Sequence, residues 1–332
     1  MIYFTTVLVT YADRANLLKK VITSTVDAGC NHIIIIDNGS VERSMSVIDN
    51  FPEEFKGIKF SIFRNDNNEG SAVAFSSGMD IASSEINQNE YVLFLDDDNL
   101  PEEGSIQRAI KHSSSENEKN SVYFLLREDR PHYLEFIRTN KSEVLLGEKN
   151  SFMAFTISKY IKNILGRLKN KGTKKNTLPI TGQALEIPCG PYGGMLTRKS
   201  ILLRGLRPLK EMVLYFDDTK YTYDLSLSGV KLFLLTDCFI KDIDDSWSAI
   251  KTKKTSSPLF EAGDFKITNT IRNRVFFELS VTTDSRPIYL LNIFCFMSIL
   301  FVKAVLSNNI ASFCKIAKSI YRGFKFYKQN PR

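Results

Sequence analysis

The chain has 332 residues, of which 43% are hydrophobic and 24% charged. That composition excludes global disorder and allows one large core or two modest ones. The net charge of +7 is uneven, because residues 286–332 hold eight Lys/Arg and no Asp/Glu. The remainder is near neutral, and the basic stretch is of the kind that meets an anionic surface. Five scattered cysteines without a CxxC pair suggest neither a disulfide framework nor a zinc site.

Residues 3–10 are β-branched and aromatic, as in a buried strand, and lack the basic flank of a secretory leader. A cytoplasmic location is therefore expected. A helical stretch covers 16–28. Residues 32–37 form an almost fully apolar run that ends in Asp37, Asn38, Gly39 and Ser40. This reads as a parallel strand buried on both faces, followed by a turn. Residues 59–63 predict a third strand and 70–83 a helix. Residues 91–95 predict a fourth strand that runs into Asp96, Asp97, Asp98 and Asn99. Strand–helix alternation of this kind predicts an α/β fold with a mainly parallel sheet. Such sheets bind ligands at the carboxyl ends of their strands, so Asp37 and the three aspartates are expected to share one crevice.

In the second half, apolar residues at 152, 155, 161, 164, 165 and 168 have a helical period. The polar side is basic, and residues 169–175 extend the charge as a loop. A glycine turn at 189–194, a strand at 195–197, the pair Asp217 and Asp218, a helix at 221–228 and a strand at 231–235 follow. Residues 288–306 are the most apolar stretch, interrupted by Asn292 and Lys303. Their length is near the ~20 residues that cross a bilayer. The interruptions and the basic follow-on favour a helix lying in the membrane interface, with a core helix and a spanning helix as the other readings.

Three adjacent carboxylates repel one another unless a cation offsets them. In extended backbone Asp96 and Asp98 point the same way and Asp97 elsewhere. The first two can converge on Mg²⁺ or Mn²⁺ that also holds a diphosphate. The alternative is an acidic loop capping a helix near Pro101.

These motifs, in this order, make the chain resemble the family 2 glycosyltransferases, which have the GT-A fold, over roughly residues 3–110 and 185–250. Val9, Thr10, Tyr11, Ala12, Asp13 and Arg14 resemble the first-strand turn, and Asp37 to Ser40 the second-strand end. Asn68, Glu69, Gly70, Ser71 and Ala72 are similar to a glycine-containing helix entry. Phe94, Leu95, Asp96, Asp97 and Asp98 resemble the aspartate motif for metal and donor diphosphate. Residues 190–198 resemble the glycine-rich segment before the acceptor site. Tyr215, Phe216, Asp217 and Asp218 stand where the family has its acidic pair, whose second member is the general base. Within the family the chain looks most like bacterial enzymes that add rhamnose or galactofuranose to O-antigen or capsule-type polysaccharides. Arg272, Asn273 and Arg274, and Tyr321, Arg322, Gly323 and Phe324, echo that group's tails.

The resemblance implies a Rossmann-like GT-A domain over 1–250, a mainly parallel mixed sheet flanked by helices. Its halves are 1–110 for the nucleotide sugar and 111–250 for the acceptor. Residues 251–332 are implied to be a helical, basic, membrane-associated extension. The implied reaction is an inverting, metal-dependent transfer from a UDP- or dTDP-sugar to a lipid-linked saccharide. Thr10, Tyr11, Arg14, Asp37, Asn68, Gly70, Asp96, Asp97, Gly193 and Gly194 are implied donor contacts. Asp96, Asp98 and Asp242 are implied ligands of Mn²⁺ or Mg²⁺, and Asp218 with Asp217 the catalytic carboxylates. The implied location is peripheral, on the cytoplasmic face of an anionic membrane.

The residue chemistry leaves some roles open. Tyr11 either stacks on a base or is an ordinary half-buried aromatic. Asp37 accepts from a uracil or thymine N–H, or makes an Asx turn before Gly39. The helix entry at Asn68–Gly70 favours phosphate through its amides. Gly193 and Gly194 let backbone approach a ligand, or simply make a turn. Asp218 is suited to take the acceptor hydroxyl's proton, with Asp217 raising the pKa of the pair. The alternative for that pair is a helix N-terminal acid.

Two features depart from the family. Asp242 stands where relatives often place a metal-binding histidine, and His32, His112 and His132 all precede it and read as unrelated to metal. Ser71 and Ala72 do not supply the Arg or Lys that many relatives carry there. A nucleotidyltransferase, the second reading, wants a basic glycine-rich loop after the first strand, but residues 9–16 offer only Arg14 and no glycine. The third reading is a non-catalytic binder. The tail's mixture of Phe and Tyr with Lys and Arg resembles a nucleic-acid surface. Its place after the apolar stretch reads better as anionic lipid, so no nucleic-acid partner is expected. An oligomer is compatible with the sequence.

Overall fold

The computed structural model describes residues 2–85, 90–115, 119–167, 182–244, 257–261 and 263–330. The basic run at 169–175 lies outside the described residues. In chain order the elements are β1 (Phe4–Ala12), α1 (Ala15–Asp27), β2 (Cys30–Ser40), α2 (Glu42–Asp49), α3 (Phe51–Glu54), β3 (Lys59–Asn65), α4 (Ser71–Ser84), β4 (Tyr91–Asp96), β5 (Asn99–Pro101), α5 (Ser105–Ser115), β6 (Ser121–Leu126), α6 (Pro131–Thr139) and α7 (Glu143–Leu146). There follow α8 (Ile157–Arg167), β7 (Ala184–Glu186), β8 (Met195–Arg198), α9 (Lys199–Leu202), α10 (Asp217–Leu227), β9 (Lys231–Asp242), α11 (Pro258–Glu261), α12 (Asp264–Val281), α13 (Arg286–Leu306) and α14 (Ile310–Gln329). The chain forms two compact units, one of residues 1–139, 180–213 and 217–246, the other of 140–179, 214–216 and 247–332.

The first unit is an α/β layer structure on a nine-stranded sheet, ordered β3-β2-β1-β4-β8-β6-β9-β5 with β7 beside β9. The apolar runs that read as buried strands pair in parallel: β3 with β2, β2 with β1, and β1 with β4. Beyond β4 the pairing is mixed, because β8 runs antiparallel to β4 and β6, while β9 is parallel to β6. Leu8, Ile33, Ile35, Leu93 and Leu95 are fully buried in one core cluster with Leu18 and Ile22 of α1. Each such side chain contributes roughly 1.5–3 kcal/mol. On α4, Gly78 meets β1 so closely that a Cβ would sit 2.5 Å from Val7. The register sets Thr10 beside Asp37 and Val9 beside Asp96, so the strand ends that carry polar residues are level.

The second unit is helical. Its core joins Phe152, Ile271, Val275, Tyr289, Leu300, Ala304 and Ile316. α14 crosses α12 at Gly323, where a Cβ would lie 2.6 Å from Val275 and 2.9 Å from the Arg272 carbonyl oxygen. Buried Glu278 accepts from Arg274 Nε at 2.6 Å, Tyr289 Oη at 2.9 Å and the Met153 amide at 2.9 Å. Asn273 Nδ2 donates to the Leu214 and Tyr215 carbonyls, both at 2.8 Å. The tail motifs therefore have packing roles. Asn292, which interrupts the apolar stretch, is 2% exposed. It donates to the Asn150 carbonyl and accepts from the Ile157 amide, each at 2.9 Å.

Three elements differ from their sequence expectation. The helix expected over 152–168 begins only at Ile157. Phe152 and Phe155 instead exchange backbone hydrogen bonds of 3.0 and 2.8 Å around Met153 and Ala154, whose φ values are positive. Burial of Phe152 against Tyr289 and Phe296 outweighs continuation of the helical period. The helix expected from 221 starts at Asp217, which puts the acidic pair in its first turn. The strand expected over 231–235 continues to Asp242.

Candidate active site

Strand ends assemble the polar cluster. β4 ends at Asp96, and Asp97 and Asp98 form the turn into β5. The alternation expected for Asp96 and Asp98 thus stops at the strand end, and Asp98 faces the same arginine as Asp97. Thr10 Oγ1, at the end of β1, donates to Asp97 Oδ2 at 2.7 Å. Arg14 donates through Nε to Asp97 Oδ1 at 2.7 Å, through Nη2 to Asp98 Oδ2 at 2.8 Å and through Nη1 to Asp244 Oδ2 at 2.5 Å. β5 pairs antiparallel with the end of β9, which sets Asn99 opposite Asp242. One amide then bridges two carboxylates: Asn99 Nδ2 donates to Asp98 Oδ1 and to Asp242 Oδ1, each at 2.9 Å. Arg127 Nη2 donates to Asn99 Oδ1 at 2.7 Å, and Arg130 pairs with Asp242.

Five carboxylates and three guanidinium groups so share this end of the sheet. Burial and neighbouring Asp98 push the Asp96 pKa up to about 8. Burial raises Asp97 to about 6 even though Arg14 and Thr10 oppose the shift. Burial also raises Asp98. Among the described residues no hydrogen bond or ion pair holds the Asp96 carboxyl. Asp96 and Asp98 are hard oxygen donors whose charge is penalised by burial, and Asn99 holds Asp98 and Asp242 on one amide, so the chemistry of the donor set suits a divalent cation such as Mn²⁺ or Mg²⁺.

A second trio of ligand-type side chains also lies close together. His112, expected to be unrelated to metal, comes within 4.8 Å of Asp237 and Cys238. Its Nε2 already lies 3.0 and 3.1 Å from the two Asp237 oxygens. Burial and Asp237 push the Cys238 thiol up to about 12.

The acidic pair sits in the first turn of α10. Asp217 is 3% exposed and accepts from Ser71 Oγ at 2.7 Å. Asp218 is half-buried, and its Oδ1 accepts from the Thr219 amide at 2.6 Å and Thr219 Oγ1 at 3.1 Å. Among the described residues its Oδ2 has no hydrogen-bond partner. Burial raises the pKa of both, and Asp218 adds to the rise at Asp217. Thr222 fastens the glycine turn to this helix, accepting from the Gly190 amide and donating to the Gly190 carbonyl, both at 2.9 Å. Arg127 lies 3.4 Å from Asp242 Oδ1 and acts electrostatically on Asp96, Asp98 and Asp218 as well.

The remaining expected donor contacts are placed as follows. Tyr11 is 40% exposed with the Arg14 guanidinium 5.2 Å from its ring centroid. Asp37 is 1% exposed, and both its oxygens are engaged: Oδ1 by the Ser40 amide at 2.9 Å, Oδ2 by Arg64 Nε at 3.1 Å. Through these bonds Asp37 braces the turn at Gly39, with the amide it holds lying three residues on. Asn68 Oδ1 accepts from the Gly70 amide at 2.9 Å, and the Ala72 amide donates to the Val213 carbonyl at 3.1 Å. Two amides at the α4 entry are thereby committed within the protein. Gly70 has φ +90° and faces the Val213 carbonyl, which leaves no room for a Cβ. The space at Gly193 is filled by the Asn99 and Arg127 side chains, while Gly194 has φ +90° and makes the turn.

Arg127, Arg130 and Asp244 were not singled out in the sequence. A signal existed for two of them. Arg127 directly follows the apolar run 122–126, as Asp96 follows its own, and Asp244 repeats Asp242 at strand spacing.

The model of the Glycosyl transferase family 2 matches residues 5–175. No curated protein sequence matches the chain. Among solved structures, GalNAc-T7 with UDP, GalNAc and Mn²⁺ aligns at TM-score 0.53 and 13% identity, over 83% of this chain and 47% of its own. The mannosyltransferase PcManGT from Pyrobaculum calidifontis, in complex with GDP-Man and Mn²⁺, aligns at TM-score 0.52 and 12% identity, over 95% of this chain and 73% of its own. The chain thus spans about half the length of GalNAc-T7. At these identities the likeness concerns the fold, a mixed sheet flanked by helices. The family match runs from the first strand through the Asp96–Asp98 turn and takes in half of the residues, so the chain belongs to glycosyl transferase family 2 and has the GT-A fold.

Proposed function

We propose that the chain transfers a sugar from a nucleotide-sugar donor to a hydroxyl of a saccharide acceptor, with inversion. The observation that carries this reading is Arg127, which donates to Asn99 at 2.7 Å, lies 3.4 Å from Asp242, and acts electrostatically on Asp96, Asp98 and Asp218. A group that grips a donor and a group that receives a proton thereby share one site. Asp96 and Asp98, with Asp242, would hold Mn²⁺ or Mg²⁺, which when bound supplies positive charge to a leaving diphosphate. Thr10 and Arg14 hold Asp97 and Asp98 in place. Asp218 Oδ2 takes the acceptor hydroxyl's proton, while Asp217, anchored by Ser71, keeps the pair basic by like-charge repulsion. No side chain needs to form a covalent intermediate.

The donor nucleotide in this reading is UDP or dTDP, and the sugar galactofuranose, rhamnose or another hexose. The acceptor is a lipid-linked saccharide of O-antigen or capsule-type synthesis. The support for this finer level is the likeness of the tail motifs and the basic C-terminal stretch. The test is turnover of a panel of UDP- and dTDP-sugars with Mn²⁺, with Mg²⁺ and with EDTA. Release of the nucleoside diphosphate only when a divalent ion is present is expected. Undiminished turnover in EDTA overturns the metal assignment. Consumption of a nucleoside triphosphate with a sugar phosphate would instead show a nucleotidyltransferase.

A further inference from the structure

α13 is 21 residues long and holds an 18-residue window of mean hydropathy 2.1, yet only 22% of that window is buried. The buried side is Tyr289, Asn292, Leu300 and Ala304. The opposite side presents Leu290, Leu291, Phe294, Phe301, Val305 and Leu306 to solvent, with Phe294 69% and Leu306 70% exposed. Soluble chains seldom leave an apolar stripe of this length uncovered. α8 adds to it. Its start is tied to α13 by the bond from the Ile157 amide to Asn292, and Phe155 lies 5.7 Å from the Phe296 ring. From there Ile161, Ile164 and Leu165 are exposed as well.

The charge around this face selects the occupant. α14 runs back along α13, with Phe313 near Phe301 at one end and Tyr327 near Arg286 at the other. It presents Lys318, Arg322, Lys325 and Lys328 to solvent, and residues 286–332 contain no acidic side chain. A second copy docked here would bring like charges together. A bilayer with anionic headgroups meets both features at once. We infer that the α8–α13–α14 face of the second unit docks on an anionic bilayer surface. α13 lies in the interface and does not span. Its inner side stays on the protein, with Asn292 bonded to two backbone groups that a spanning helix would have to release. This inference does not depend on the transferase reading.

The test uses the full chain and vesicles of phosphatidylcholine, with or without about one-quarter phosphatidylglycerol. Sedimentation is expected to show binding only to the anionic vesicles, weakening at least tenfold as salt rises from about 0.05 to 0.5 M. The double variant Leu291→Glu/Phe294→Glu is expected to lose binding at least tenfold with its melting temperature kept. A second measurement stands even if that variant does not fold. Phe294→Trp in a Trp247→Phe background places an indole on the face, and brominated lipid in the anionic vesicles is expected to quench it. Absence of binding to anionic vesicles, an unquenched indole, or a solution dimer that the double variant splits would each overturn the inference, the last in favour of a second copy of the chain.

Discussion

Asp218 has one oxygen tied to Thr219 and one without a hydrogen-bond partner among the described residues. Asp218→Asn keeps that shape and removes the proton acceptor. Turnover is expected to fall by about 10²–10⁴, with donor binding unchanged in a titration. Near-normal turnover would move the base to Asp217. Because burial holds both carboxyls above their usual range, the acid limb of the rate profile should lie above the ~4 of a free carboxylate. A second residue-scale prediction concerns Asp96. Its folded pKa of about 8 lies above its unfolded value near 4, so the folded chain binds the proton more tightly. This group's contribution is full below pH ~4 and is lost as pH rises to about 8. Asp96→Asn removes the penalty. In EDTA the variant is expected to melt higher than the parent at pH ~8.5, by ~3 °C or more, and to show no such gain at pH ~4. An equal gain at both pH values would show that the charge is not the cause.

At the scale of elements, the α12–α14 crossing rests on one absent side chain. Gly323→Val would push a branched carbon into Val275 and the Arg272 carbonyl. Overpacking of this kind costs about 1–3 kcal/mol, so the melting temperature should drop by several degrees. An unchanged melt would show that the helices separate freely there. The same elements show what a sequence reveals. β1, β2 and β4 were legible because each is an uninterrupted apolar run closed by polar turn residues. Asp96–Asp98 and Asp217–Asp218 stood out because adjacent carboxylates are costly. β6 and α12 were not read. β6 is short, and α12 is buried through polar residues such as Asn269, Asn273 and Glu278, which blur any apolar stripe. Asn99, Arg127 and Asp244 join the site through sheet pairing over distances of more than a hundred residues, which periodicity does not record.

For the molecule as a whole, the site is a concentration of charge within a sheet unit that is itself acidic, with 31 Asp/Glu against 21 Lys/Arg over residues 1–139, 180–213 and 217–246. Ligands that neutralise it should stabilise the fold, since anything that binds only the native state raises its stability. Mn²⁺ with UDP at about 100 times its dissociation constant should contribute ~2.7 kcal/mol, visible as a rise in melting temperature. Asp98→Ala should abolish most of that rise. If the variant responds as the parent does, the ion sits elsewhere.

The second unit is assembled from three separated stretches of chain. During synthesis its first stretch, 140–179, emerges before the partners it packs on. Phe152 and Phe155 pack on Tyr289 and Phe296, and the residues beyond 246 take roughly 4–17 s to make at about 5–20 residues per second. For those seconds the ribosome carries a folded or folding sheet domain with two unpaired phenylalanines held in an open loop. Nascent chains stalled at residue 246 are therefore expected to be cut by chymotrypsin at Phe152 or Phe155, and chains released at full length to resist. Equal resistance in both would mean that the loop finds other cover before its helices are made.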